Sequence, residues 1–196
     1  LKTSIGDVAL RSQVSGYGAD VLDKVTIDVA GDLLLTDAVE ATDLIDLKAS
    51  GALDAGQFTL RTTGIAGSIV LQTSESLVFG QGSTLETADS LKLLSTTGDV
   101  LLAGDLLGLA GGTAKSIEAE AAGTLSVIGE AKATDKVVLK AGDFLLLGDS
   151  AKVVASGSSS VIEIVAGKDV TLDGEVTGSD DLSVESGSDV IVAGQV

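Results

Sequence analysis

Carboxylates are the chemistry this chain holds in quantity. Twenty Asp and nine Glu stand against ten Lys and two Arg, and neither His nor Cys occurs. Without imidazole or thiol there is no His-dependent triad, no Cys nucleophile and no imidazole or thiolate metal site. What remains is paired-carboxylate acid–base work, as in glycosidases, and hard-cation binding through oxygen. The close pairs are Asp180 with Asp181 and Asp43 with Asp46. With 29 acids spread along the chain, such neighbours arise by chance and read as solvated turn residues. Neither long loops nor a basic or aromatic cleft accompanies them, so no enzyme is expected.

One Asp recurs at the start of a repeated phrase, as Asp7, Asp32, Asp99, Asp143, Asp169 and Asp189. If those phrases stack, Asp143, Asp169 and Asp189 come about one strand spacing apart, where like charges repel. Either calcium sits between them or each carboxylate caps nearby backbone N–H groups. The series is broken at Ala52, Ser76 and Thr124, and the GGxGxDxLx nonapeptide of calcium-binding β-rolls is absent. Capping is therefore the expected role, with Asp143, Asp169 and Asp189 as the calcium candidates. No other cofactor is expected.

The elements that carry these residues are set by a repeat. A Gly-Asp phrase appears as GDVAL at 6–10, GDLLL at 31–35, GDVLL at 98–102 and GDFLL at 142–146, with shorter variants between. Its first apolar positions are Val8, Leu33, Leu53, Leu77, Val100, Leu125, Phe144, Val170 and Val190. A longer phrase (KVTIDVA, LIDLKAS, SIVLQTS, KVVLKA, VIEIVA) is anchored on Val25, Ile45, Ile69, Leu91, Ile117, Val137, Ile162 and Leu182. A weaker intervening set comprises Val14, Val39, Phe58 with Leu60, Leu85, Leu107 with Leu109, Val153 and Val176, and the coil beginning at Gly123 lacks a clear member. Both strong markers keep a mean period of about 22 residues.

Each phrase alternates in steps of two, the strand period, and no stretch keeps a helical apolar pattern. The expectation is an all-β chain, a right-handed parallel β-helix of roughly eight to nine coils forming one segment over 1–196. At about 4.8 Å per rung, eight coils make a rod about 40 Å long. A sandwich or barrel would also space strands this way. It would want Asn-Gly hairpins, however, and the chain has no Asn. Absence of Pro fits a ladder in which nearly every strand is interior. Only Tyr17, Phe58, Phe79 and Phe144 are aromatic, so one small space is filled repeatedly instead of an irregular core.

The G-D-V-x-L and x-V-x-L-x-A-G phrases resemble the haemagglutinin-type repeats of filamentous-haemagglutinin-like adhesins and other giant bacterial exoproteins, over all 196 residues. The resemblance implies a β-helix shaft, secretion, and a role in adhesion, biofilm or contact between cells. Such repeats usually stack Asn inside their turns; here Asp, Ser and Thr must serve. Both ends read as cuts through a longer repetitive polypeptide, so the lack of an export signal is uninformative.

The outward members of the Gly-Asp phrase suggest a partner surface. Runs such as LLL, VLL and FLLL are apolar on both sides of the strand, the pattern of a strand covered on both faces. Leu34, Val78, Leu101, Leu145 and Ile191 are the candidates for a lateral contact with another copy or another part of a larger chain. Adjacent coils of the long phrase pair Asp28 with Lys48 and Glu120 with Lys140, a register device on a wet face. The formal net charge of −17 repels nucleic acid and anionic lipid, and no apolar run approaches a membrane span. The expected molecule is an extracellular or cell-surface shaft that self-associates into filaments or bundles. The alternatives are a polysaccharide-binding β-helix, less readily a polysaccharide-cleaving one, and a phage fibre segment.

Overall fold

Alternating aliphatic and small polar residues leave one side of each short strand fit for burial, and a parallel neighbour above and below satisfies the backbone. In the computed structural model, which describes residues 6–15 and 22–196, this arrangement is repeated as a β-solenoid. It has about eight turns, roughly 22 residues apart. The described residues contain 23 strands and one 3-10 turn, Leu109–Gly111.

Each coil from that of Leu33 to that of Val170 contributes a strand to each of three faces, while the first and last described coils reach the intervening face only through bridges at Val14 and Gln195. The Gly-Asp face stacks nine strands in chain order: Val8–Leu10, Leu33–Leu35, Leu53–Asp54, Leu77–Phe79, Val100–Leu102, Leu125–Val127, Leu145–Leu147, Val170–Leu172 and Val190–Val192. The intervening face runs from Val39–Ala41 to Glu175–Gly178, and the long face from Lys24–Val29 to Asp181–Ser186. The two are joined by Glu130–Ala141, a twelve-residue strand that belongs to both.

Register puts equivalent aliphatics directly above one another. The long face stacks Val25, Ile45, Ile69, Leu91, Ile117, Val137, Ile162 and Leu182, all as expected. From Val25 to Ile162 these side chains are buried, within one core that runs the length of the solenoid. Each buried Val, Leu or Ile contributes about 1.5–3 kcal/mol relative to exposure, and most touch their own kind one coil away.

Three expected positions are corrected. On the Gly-Asp face the inward column is Val8, Leu33, Leu53, Leu77, Val100, Leu125, Leu145, Val170 and Val190. Leu145, not Phe144, therefore enters the core, and Phe144 is 37% exposed. The cause is the turn: Gly142 N–H donates to Ala121 O at 2.9 Å and Asp143 N–H to Gly123 O at 3.0 Å. Gly142 thus stands over Ala122 and comes one residue earlier in its turn than Gly31, Gly51, Gly98 and Gly123 do in theirs. On the intervening face the inward residue is Leu106 rather than Leu107, and Ala131 supplies the member that the coil from Gly123 lacks.

Stacking also explains the Gly-Asp pair itself. A Cβ on Gly31 would strike the Asp7 carboxylate and one on Gly51 the Asp32 carboxylate. Those carboxylates are held by the coil above: Asp32 N–H donates to Asp7 Oδ1 at 2.9 Å, Ala52 N–H to Asp32 Oδ1 at 2.8 Å and Thr124 N–H to Asp99 Oδ1 at 2.7 Å. Glycine makes room, and aspartate fills it with an acceptor that satisfies the next coil's amide. Inside the corners, hydroxyls do the converse. Thr73 donates to Gly51 O, Ser95 to Glu75 O and Thr87 to Gly67 O, while Thr62 and Thr87 hydroxyls meet at 2.6 Å. Asp, Ser and Thr supply the turn ladders of a chain without Asn.

The coils are not all alike. Between inward residues of the intervening and long faces, Val39 to Ile45, Leu85 to Leu91, Ala131 to Val137 and Val176 to Leu182 each take six residues. Leu60 to Ile69 takes nine, Leu106 to Ile117 eleven and Val153 to Ile162 nine. Short and long corners alternate. Two long corners on neighbouring coils would have to share one strand spacing of about 4.8 Å, and alternation gives each roughly twice that. The structural unit is therefore a pair of coils. Val8, Leu53, Val100, Leu145 and Val190 mark it, at intervals of 45, 47, 45 and 45 residues.

Candidate functional site

The Gly-Asp face carries the candidate interface and the candidate calcium ladder side by side. Its outward column is Ala9, Leu34, Asp54, Val78, Leu101, Ser126, Leu146, Thr171 and Ile191. Leu34 is 41% exposed and Ile191 53%, while Val78 and Leu101 are half-buried. Leu145 leaves the set because it is wholly buried, and Leu146, 39% exposed, takes its place. The aliphatics form a broken stripe: Asp54, Ser126 and Thr171 interrupt it, and the Asp column borders it along one edge. Ile128, 39% exposed, lies diagonally across from Leu146 and widens the stripe there.

The three calcium candidates do not form one column. The same shift that buries Leu145 sets Asp143 opposite Lys168, whose N–H donates to Asp143 O at 2.7 Å. The side chains pair too, with Lys168 Nζ 2.7 Å from Asp143 Oδ1 and 5.0 Å from the centre of the Phe144 ring. Asp169 and Asp189 do stack, and Asp189 N–H donates to Asp169 Oδ1 at 3.2 Å. Asp143 is thus committed to a cation of the chain, and Asp169 caps the next coil. Among the described residues no group of three or more His, Cys, Asp or Glu is placed to hold a metal ion.

The two carboxylate pairs are separated by strand geometry. Asp43 and Asp180 occupy corners, Asp46 points outward from the long face 3.4 Å from Lys48, and Asp181 opens the strand Asp181–Ser186. Depressions of about 640 and 260 Å³ lie at the last and first described coils, lined respectively by Val176, Leu182 and Val196 and by Leu10, Val14 and Val25. Neither is built around an acid pair.

Charge on the long face is arranged as ladders. Asp28 stacks on Lys48 and Glu120 on Lys140, as the sequence indicates. The tightest cluster centres on Glu163, which lies 2.8 Å from Lys140 and 3.6 Å from Lys136. The hydrogen bond from Lys140 holds the Glu163 carboxyl below its usual range, and the same bond raises the Lys140 ammonium. Beneath them Val138 points outward yet is only 4% exposed, in register between Glu118 and Glu163. The lysine stems are long enough to cover it.

No known protein family, curated protein or solved structure matches this chain.

What the sequence reading missed is the alternating corner. The long corners contain GIAG at 64–67, GLAGGT at 108–113 and SGSSS at 156–160 and carry no charge in those stretches. Ile65 at the tip of the first is 94% exposed. Each short corner carries an Asp two residues before the long-face anchor (Asp43, Asp89, Asp135 and Asp180), a place held in the long corners by Asp23, Gly67, Lys115 and Ser160. The 45-residue interval was the available signal, but averaging coils to 22 residues erased it.

Proposed function

We propose that this chain is a stiff structural shaft, part of a large secreted or cell-surface adhesin or fibre, and that it does no chemistry itself. The observation that carries this reading is unbroken register. Nine stacked Gly-Asp strands keep one register from Val8 to Val190 over a continuous aliphatic core, so length is the property the repeat multiplies. A solenoid of this kind transmits force and holds whatever is attached to it at a fixed distance. The acidic, Cys-free composition suits a chain exported unfolded and exposed to salt. Adhesion, biofilm support and an extracellular location belong to this reading and rest on the repeat style together with the shaft geometry.

Distance is the direct test. Because the chain lacks Cys, spin labels can be placed at Asp54→Cys and Thr171→Cys, five rungs apart on one outward column, about 24 Å at the strand spacing. Deleting residues 77–124 removes two complete coils and should shorten the label distance by about 10 Å. A broad or unchanged distance distribution would rule out a rigid spacer. For location, antibodies against residues 1–196 should stain intact cells, and staining only after permeabilisation would remove the surface assignment.

A further inference from the structure

We infer that the corner between the intervening and long faces is a lateral docking edge for a second copy of this solenoid, set one rung out of step. The corner is a row of teeth and gaps. Teeth stand at Gly64–Gly67, Gly108–Thr113 and Ser156–Ser160, on every second coil, about 10 Å apart along the axis. The corresponding corner of the first coil includes residues 16–21, which lie outside the described residues. Gaps stand at the short corners, between successive teeth.

Shape and charge agree on the occupant. A row whose teeth and gaps have equal period fits a copy of itself displaced by one coil. On a chain of net charge −17, two copies can approach closely only where acids do not meet acids. The teeth are uncharged and present the Gly111 amide and the hydroxyls of Ser158 and Ser159, while the Gly64, Gly67 and Gly112 amides already donate to Thr42 O, Gly64 O and Leu109 O. The gaps supply acceptors in the exposed Asp43, Asp135 and Asp180, whereas Asp89 is paired with Lys115 at 3.8 Å. Carboxylates accepting from backbone N–H groups and hydroxyls make short, charge-assisted hydrogen bonds. Ile65, almost wholly in water in the single copy, would gain cover between two coils of its partner. The Gly-Asp face is the weaker lateral candidate, because its broken stripe lies beside the Asp column and would bring like charges together.

Lateral pairing would thicken the shaft proposed above. The spin-label distance there is measured on dilute single copies, so either reading can fail alone. The test is concentration-dependent association of the intact chain, followed by sedimentation and by small-angle scattering of the rod cross-section. Association should thicken the rod without lengthening it. Asp43→Lys with Asp135→Lys should weaken association at least tenfold, whereas Leu101→Lys with Leu146→Lys should leave it unchanged. Both gap residues are exposed, and an unaltered circular dichroism spectrum checks that the fold survives. Independently, Ser158→Cys should form disulfide-linked dimers with an Asp135→Cys or Asp180→Cys partner in mixed samples. A chain that stays single at hundreds of micromolar, or an assembly abolished only by the Leu101 and Leu146 changes, overturns the inference.

Discussion

Leu145 and Leu146 sit side by side in sequence and on opposite sides of one strand. Leu145 fills the core between Leu125 and Val170, while Leu146 lies outward between Ser126 and Thr171. Leu145→Ala should therefore cost about 2–5 kcal/mol, the range for a buried leucine. Leu146→Ala should stay within about 0.5 kcal/mol, as for an ordinary surface change. Urea midpoints of the two variants check this, and equal losses would refute the register described here. Sequence alone reversed these roles, since aligning by glycine is sound only while glycine keeps one place in its turn. From Gly142 onward it moves a residue earlier, and in a strand one residue exchanges the two faces. The aspartates were more legible. Their capping role follows from the need to satisfy amides in a tight turn, whereas the pairing of Asp143 with Lys168 depended on the same shift. Removing an acceptor should show in proportion: Asp32→Ala leaves the Ala52 amide without its 2.8 Å partner and should cost about 1 kcal/mol.

At the scale of elements, strands and faces were readable because period-two alternation and recurrent anchors are local signals. The corner alternation was not, because it is a difference between coils and disappears from their mean. It has a measurable consequence. Deleting residues 77–124 joins a long-corner coil to a short-corner coil and keeps the alternation. Deleting residues 77–99 removes one coil and stacks the corner at Gly64–Gly67 directly under that at Gly108–Thr113. Both deletions join inward positions in phase, so the aliphatic columns stay continuous. The single-coil deletion should nevertheless melt at a lower temperature than the double, although it retains more core. If the melting temperatures simply follow the number of coils, the pair of coils is not the structural unit. Ion pairs on the long face predict a second element-scale effect, in pH. Glu163 is lowered by Lys140, so its stabilisation is present above the usual carboxylate range and is lost as pH falls through its folded value. Lys140 is raised, so its share is present below the usual lysine range and is lost as pH rises through its folded value. For a mostly exposed network the effect is about 0.2–1 kcal/mol. Comparing wild type with Glu163→Gln across pH should show a constant difference between those two limits and convergence below the lower one.

At the scale of the whole molecule the controlling quantity is the net charge of −17. Acids lie on all three faces, so two rods repel over distances comparable with the Debye length, about 10 Å at 0.1 M salt. Contacts at the corner are of a different kind. They are hydrogen bonds from uncharged teeth to carboxylates, made at short range and little affected by screening. Raising ionic strength should therefore strengthen lateral association: salt removes the repulsion between the rods and leaves the attraction nearly intact. An edge held by matched ion pairs would behave in the opposite way and loosen as salt rises. Sedimentation between 0.02 and 0.5 M sodium chloride separates the two cases, and its direction carries the information. Tightening with salt fits docking of neutral teeth on acidic gaps, and loosening would place the contact on the lysine and glutamate ladders of the long face. Calcium adds a control, because bridging by a divalent ion would tighten association at millimolar concentrations that barely change screening. An equal response to sodium and calcium at matched ionic strength would leave screening as the sole electrostatic effect and the corner hydrogen bonds as the source of attraction.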